Sequence, residues 1–176
     1  MKKLLLMVVV SLTTMGLFAQ KDSKAVGVNL GYGTEISNLG LGAKFQYGIT
    51  DAIRAEASFD YFLKKDFLSM WDINVNAHYL FPVANKFKVY PLAGLTYTNW
   101  TMHGFDLGLD YGDWADYLDD EDFEDDSSST GKFGINLGAG IEYELTEKLT
   151  LSFEAKYQLI SDFNQLVFGV GVAYKF

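Results

Sequence analysis

From Thr150 to Gln158 the chain reads Thr-Leu-Ser-Phe-Glu-Ala-Lys-Tyr-Gln, polar and apolar residues in strict alternation, and the pattern recurs about eight times. A period of two places successive side chains on opposite faces of a strand. Here one face carries Ser152, Glu154 and Lys156 and the other Leu151, Phe153, Ala155 and Tyr157. The chain must therefore fold as strands with two unlike faces, and the face that points outward decides what class of protein it is.

A length of 176 residues suits one domain, and only two prolines with abundant phenylalanine and tyrosine favour strands over helices. The absence of cysteine removes disulfides and thiolate metal sites. The first segment stands apart. Lys2 and Lys3, an apolar run over residues 4–10 and the small-residue end Gly16-Leu17-Phe18-Ala19 form the pattern of a secretory signal peptide, with cleavage expected after Ala19. That apolar run is shorter than the roughly 20 residues a spanning helix needs. Residues 1–19 are thus read as the signal peptide and 20–176 as the domain.

Eight strands are expected, over residues 25–33, 41–49, 53–63, 70–81, 87–100, 133–145, 149–159 and 166–176. Most are near the roughly 9–11 residues of a tilted transmembrane strand. Their connections alternate in length. Short turns fall around Thr50-Asp51, over 82–86 and over 146–148, and longer loops over 34–40, 64–69, 103–132 and 160–165. Sequential hairpins without helical crossovers give an antiparallel up-and-down meander, and this alternation of short and long connections suits an outer-membrane barrel.

One phase of the strands is apolar throughout, as in Trp71, Ile73, Val75, Ala77 and Tyr79. The other holds Lys44, Arg54, Glu56, Asp60, Asp72, His78, Glu142, Glu144, Glu154, Lys156 and Lys175, together with most strand glycines. A soluble periplasmic barrel binding an apolar ligand would turn the apolar phase inward. Volume opposes that: an eight-stranded barrel has room inside for side chains or one small ligand, not for some forty apolar residues, many of them Phe, Tyr, Trp or Leu. Aromatic residues near strand ends, among them Tyr32, Tyr61, Tyr143 and Tyr174, suit the membrane–water interfaces. The fold expected is an all-β, eight-stranded antiparallel up-and-down transmembrane β-barrel.

The ending Val170-Gly-Val-Ala-Tyr-Lys-Phe176 completes a pattern that resembles the small outer-membrane β-barrel family of Gram-negative bacteria, the OmpX-like and OmpA-like barrels. The resemblance extends over essentially the whole chain after the leader. It implies an outer-membrane location, lipid as the surrounding partner, and Val172, Tyr174 and Phe176 as an assembly signal read by the barrel-assembly machinery. No peptidoglycan-binding domain is expected after the barrel.

Charges inside a narrow barrel must be paired or hydrated. Lys44, Arg54, Glu56, Asp60, Asp72, His78, Glu142, Glu144, Glu154 and Lys156 are therefore expected to form a lumen network that plugs the barrel, centred on Arg54. The alternative is a narrow porin-like channel for ions or small solutes. His78 is read as a member of the network rather than a metal ligand.

The acidity of the chain is local. Its net charge is −9, or −11 without Lys2 and Lys3, and the eleven acidic residues between His103 and Ser129 account for all of it. Such a loop makes nucleic acid an implausible partner. Aspartates at 110, 113, 116, 119 and 122 supply hard oxygen atoms suited to calcium, but the EF-hand offsets are absent. The run of like charges reads first as a solvated surface loop. Trp114, Asp116, Asp119, Asp122 and Phe123 form the candidate partner-binding segment, because exposed aromatics anchor partners. No nucleophile elbow or zinc-ligand pair is present. The function expected is non-enzymatic, structural or adhesin-like, with no cofactor and an unidentified extracellular partner.

Overall fold

The computed structural model describes residues 21–65, 68–102, 128–161 and 163–176. Among these residues the chain forms nine strands: β1 Lys24–Gly33, β2 Asn38–Gly48, β3 Ile53–Lys65, β4 Leu68–Tyr79, β5 Phe81–Ala84, β6 Phe87–Met102, β7 Ser128–Glu144, β8 Leu149–Ile160 and β9 Gln165–Lys175. Each pairs antiparallel with its sequence neighbour or, for β1 with β9 and β4 with β6, closes the ring. β4 and β5 keep one register against β6, His78 facing Leu92 and Phe81 facing Val89, so they are one stave interrupted at Leu80. Pro91, which has no N–H to give the ladder, falls opposite the preceding Tyr79. Leu80 instead donates its N–H to Ala52 O at 2.7 Å. The result is a closed barrel of eight antiparallel staves, as the alternation requires.

Two boundaries differ from those expected. The turn after β5 narrows to Asn85 and Lys86, because Phe81–Ala84 stays paired with β6. β7 begins at Ser128 rather than Phe133, paired outward as far as Met102, so residues 128–132 are strand and not loop. Serine, threonine and lysine there alternate without apolar residues, which hid them from a hydrophobic period. At the short-turn end, Thr50 Oγ1 accepts from the N–H of Ile53 at 2.9 Å and Thr146 Oγ1 from that of Leu149 at 3.0 Å. A hydroxyl standing in for a backbone acceptor is what lets so short a link reverse the chain.

The faces sort as an inverted core. Along β4, Asp72 and Asn74 are fully buried, whereas Ile73 and Val75 between them are exposed. The large apolar residues of the other staves, such as Leu41, Leu95 and Phe153, likewise face outward. This is the reverse of a soluble carrier. Rings on the outer face touch in sequence around the barrel. Phe59, Trp71, Tyr97 and Phe133 form one chain with centroids 6.0, 5.8 and 4.8 Å apart. Tyr79 with Phe81 and Phe87 with Tyr143 form pairs nearer the short turns. Interfacial aromatic girdles have this form. Among the described residues no helix is long and apolar enough to cross a membrane.

Candidate functional site in the barrel lumen

Because every inward position alternates with an outward one, the staves aim their polar side chains at a common axis, and opposite walls meet. At the short-turn end Glu144 takes Lys88 at 2.6 Å and Lys175 at 2.9 Å. Lys88 also lies 3.8 Å from Glu142, which links this rim to the next layer. There Arg54 of β3 reaches across to Glu142 of β7, Nη1 to Oε2 at 2.7 Å, with both side chains almost fully buried. The Tyr90 ring lies 5.2 Å from the Arg54 guanidinium and stacks on His78 with centroids 4.7 Å apart.

Arg54 also fixes the histidine. Its Nη2 and Nε lie 3.1 and 3.4 Å from His78 Nδ1. A guanidinium has only donors, so Nδ1 accepts and the ring proton sits on Nε2. That nitrogen lies 3.8 Å from Glu56 Oε1, beyond hydrogen-bond distance. Glu56 accepts from Gln46 at 2.7 Å and lies 3.6 Å from the Lys44 ammonium, which donates to Ser152 at 3.2 Å. Ligand atoms of Glu56, His78 and Glu154 lie within 4.8 Å of one another, the spacing of a metal site. The donor set does not fit one: a protonated Nε2 has no lone pair for an ion, and Lys44 already neutralises Glu56. Glu154 instead accepts from the Tyr90 hydroxyl at 3.1 Å.

The next layer is held by amides. Asp60 lies 3.7 Å from Lys156 and accepts from Asn29 at 2.5 Å and Asn74 at 3.0 Å. Asp72 accepts from Asn74 at 2.6 Å and Gln158 at 3.1 Å. Asn136 donates to Asn74 and Asn76, each at 2.9 Å, and Gln165 to Gln158 at 2.5 Å. Towards the long loops the character changes: Ile36, Phe62, Met70 and Val167 form a buried apolar cluster, with Trp100 packed against it.

All ten residues expected in the lumen therefore lie on the inner wall, and ion pairs or hydrogen bonds, with the Tyr90 ring linking Glu154, gather them in two groups, one around Arg54 and Glu56, the other around Asp60 and Asp72. Sequence reasoning missed Lys88, although its position six residues before inward Gly94 gives it the inward phase. It also missed Gln46, Asn74, Asn136, Gln158 and Gln165, because neutral amides carry no charge to mark them. Val172, Tyr174 and Phe176 face outward at the β9–β1 seam, where Val172 pairs with Val28 and Tyr174 with Val26. The candidate binding residues Trp114, Asp116, Asp119, Asp122 and Phe123 lie outside the described residues, as do residues 1–19.

A family model described as the outer membrane protein beta-barrel domain matches residues 8–176. The chain belongs to that family. Its outward apolar face is accordingly a lipid-facing surface of the bacterial outer membrane. Solved outer-membrane barrels share the fold. The N-terminal β-barrel domain of Pseudomonas aeruginosa OprF is 18% identical with a TM-score of 0.65, over 89% of this chain and 98% of that one. Ail, the attachment invasion locus protein of Yersinia pestis, is 16% identical with a TM-score of 0.57, over 88% and 97%. Neisserial surface protein A is 13% identical with a TM-score of 0.63, over 88% and 96%. No curated protein sequence matches the chain.

Proposed function

We propose that this outer membrane β-barrel is a non-enzymatic surface-interaction protein whose lumen is closed and whose acidic segment over residues 103–127 meets the partner. The observation that carries the reading is the buried polar network in the lumen. Arg54 pairs with Glu142 and Lys156 with Asp60, and the amides of Asn74, Asn136 and Gln158 bond one another and Asp72 across the interior. Eight staves leave little room beyond such side chains, whereas open aqueous channels belong to much wider barrels. Opening a path through the network would unpair buried ions, which is costly.

Function then moves to the long-loop end. Between residues 103 and 127 the chain carries eleven acidic residues, no lysine or arginine, and the aromatics Trp114 and Phe123. Ail of Yersinia pestis has been crystallised with the heparin analogue sucrose octasulfate. A polyanion of that kind is the wrong sign for this chain. Its partner is a cationic surface, drawn in by the aspartates and anchored by the rings. Cells displaying the protein should bind a polylysine-coated surface more than cells without it. Asn in place of Asp116, Asp119 and Asp122 should weaken that binding, as should rising salt. Binding that ignored both changes would sink the reading.

The same reading takes residues 1–19 as a cleaved leader, 20–176 as the barrel domain, and Val172, Tyr174 and Phe176 as the assembly signal. Intact mass of the protein extracted from outer membranes should start at Gln20. Single-channel recording of that protein in planar bilayers should be silent.

A further inference from the structure

The outward face of the barrel is not equally thick all round. Large apolar residues cover most of it, yet a band of small ones crosses five staves. Ala55, Ala77 and Ala93 stand side by side on β3, β4 and β6, and Pro91, Ala139 and Ala155 on β6, β7 and β8. Exposed large residues rise on both sides of the band. Tyr79, Ile141 and Phe153 border it towards the short turns, Val75, Leu137 and Tyr157 towards the long loops.

The band is therefore a groove. Two depressions of about 620 and 540 Å³ lie along it, one floored by Ala139 and the other by Ala77 and Ala93, and Pro91 is common to both. Pro91 stands beside the interruption of the stave at Leu80, where regular pairing between β4 and β6 stops. The surroundings here are lipid. Small side chains left unfilled would forfeit dispersion contacts that a flexible acyl chain laid in the groove can make.

Depth, charge and shape choose the occupant. Pro91 is four residues from Phe87, where β6 begins, and Ala139 five from Glu144, where β7 ends. The groove thus opens to the leaflet at the short-turn end, just inside the aromatic pairs Tyr79–Phe81 and Phe87–Tyr143. The turns at that end carry exposed Lys86, between β5 and β6, and Lys148, between β7 and β8, with Glu147 beside the latter. An ammonium at this level complements a lipid phosphate. A second copy of the chain fits less well, because a two-fold contact sets the same patch against itself and leaves groove facing groove.

We propose that this groove holds one glycerophospholipid of the leaflet at the short-turn end, an acyl chain lying over Ala139, Pro91 and Ala93 and the phosphate beside Lys86. It is held more tightly than the lipid around the rest of the barrel, and so outlasts removal of the bilayer. The proposal rests on the outward face being embedded in lipid with the long loops outside the cell.

The test is native mass spectrometry of protein extracted from outer membranes in mild detergent, with heat-sensitive gel mobility to show that each variant is folded. The native barrel should keep one phospholipid, identified by fragmentation, through repeated detergent exchange. Ala93→Leu combined with Ala139→Leu should lower its occupancy at least tenfold. Both side chains point away from the lumen, and Ala139→Leu alone, expected to give a smaller loss, guards against failure of the double variant to fold. Lys86→Gln should lower occupancy about fivefold, the worth of one lysine near an anionic surface. Ala43→Leu, at an exposed position of β2 outside the band, should leave it unchanged. A folded native barrel that keeps no lipid, or that emerges as a dimer without one, would overturn the proposal. So would a phospholipid that the leucines leave in place, or one that Ala43→Leu removes equally. Retained lipopolysaccharide would instead show that the wrong leaflet had been assigned.

Discussion

The two halves of the inner wall are built on opposite plans. β3, β4, β7 and β8 project Arg54, Glu56, Asp60, Asp72, Asn74, His78, Glu142 and Gln158 into the lumen, all but fully buried. β1 and β9, with the outer half of β2, present mainly Gly27, Gly31, Gly40, Gly42, Gly169 and Gly171. The difference teaches how a narrow barrel holds a charged core. Opposite ions must touch across the axis, and eight staves leave room for only one wall to reach. Glycine on the facing wall supplies the volume. Gly42 shows it directly, since a Cβ there would occupy the place of the Asp60 carboxylate and crowd Asn29. Gly171 in the same way makes room for Lys44, whose Nζ would lie 2.9 Å from an added Cβ.

The largest expected break is on the crowded wall. Glu142→Ala leaves Arg54 buried without its 2.7 Å partner, and should cost about 3–5 kcal/mol in urea unfolding from lipid vesicles. Glu142→Gln, which can still accept a hydrogen bond, should recover part of the loss. If the alanine variant unfolded like the native chain, the pair would not be holding the wall together.

Next is the distinction between inside and outside on which the comparison stands. Val75 faces lipid between buried Asn74 and Asn76. Val75→Arg should therefore destabilise folding into bilayers by roughly 2–4 kcal/mol, the cost of a charge near mid-membrane. Normal folding of that variant would reverse the assignment of faces.

The two walls are then compared directly by adding one methyl group to each. On β7, a Cβ on Gly138 would meet backbone atoms of Ala155 and Lys156, which cannot swing aside. Gly138→Ala should cost about 1–3 kcal/mol through overpacking. Gly169→Ala, where the nearest atom is 3.8 Å away, should stay within about 0.5 kcal/mol. Equal effects at the two sites, read by the same unfolding assay, would mean that the glycine wall is as tightly packed as its partner.

Much of this could be read from residues alone, and the exceptions are instructive. Strict alternation marked the staves, their faces and the short turns, because a period of two is a local property of each strand. It failed at residues 128–132, where serine, threonine and lysine pair with β6 without an apolar rhythm. It also said nothing of Phe62 and Met70, two of the large apolar residues on a mostly polar inner face. An inward apolar residue looks like a lapse in the pattern until closure brings Ile36 and Val167 beside it.

What the sequence by itself determined is therefore the sheet: strands with one greasy and one polar face, joined by alternating short and long links, and an acidity confined to one segment. Only the tertiary structure decided who meets whom. Arg54 and Glu142 are 88 residues apart and Gln158 and Asp72 are 86 apart, so no local spacing relates them. Their meeting depends on how β1 seals against β9 and how far the staves are staggered around the ring. The physical reason is range: side-chain alternation is set within each strand, whereas contacts across a lumen exist only once the sheet has closed.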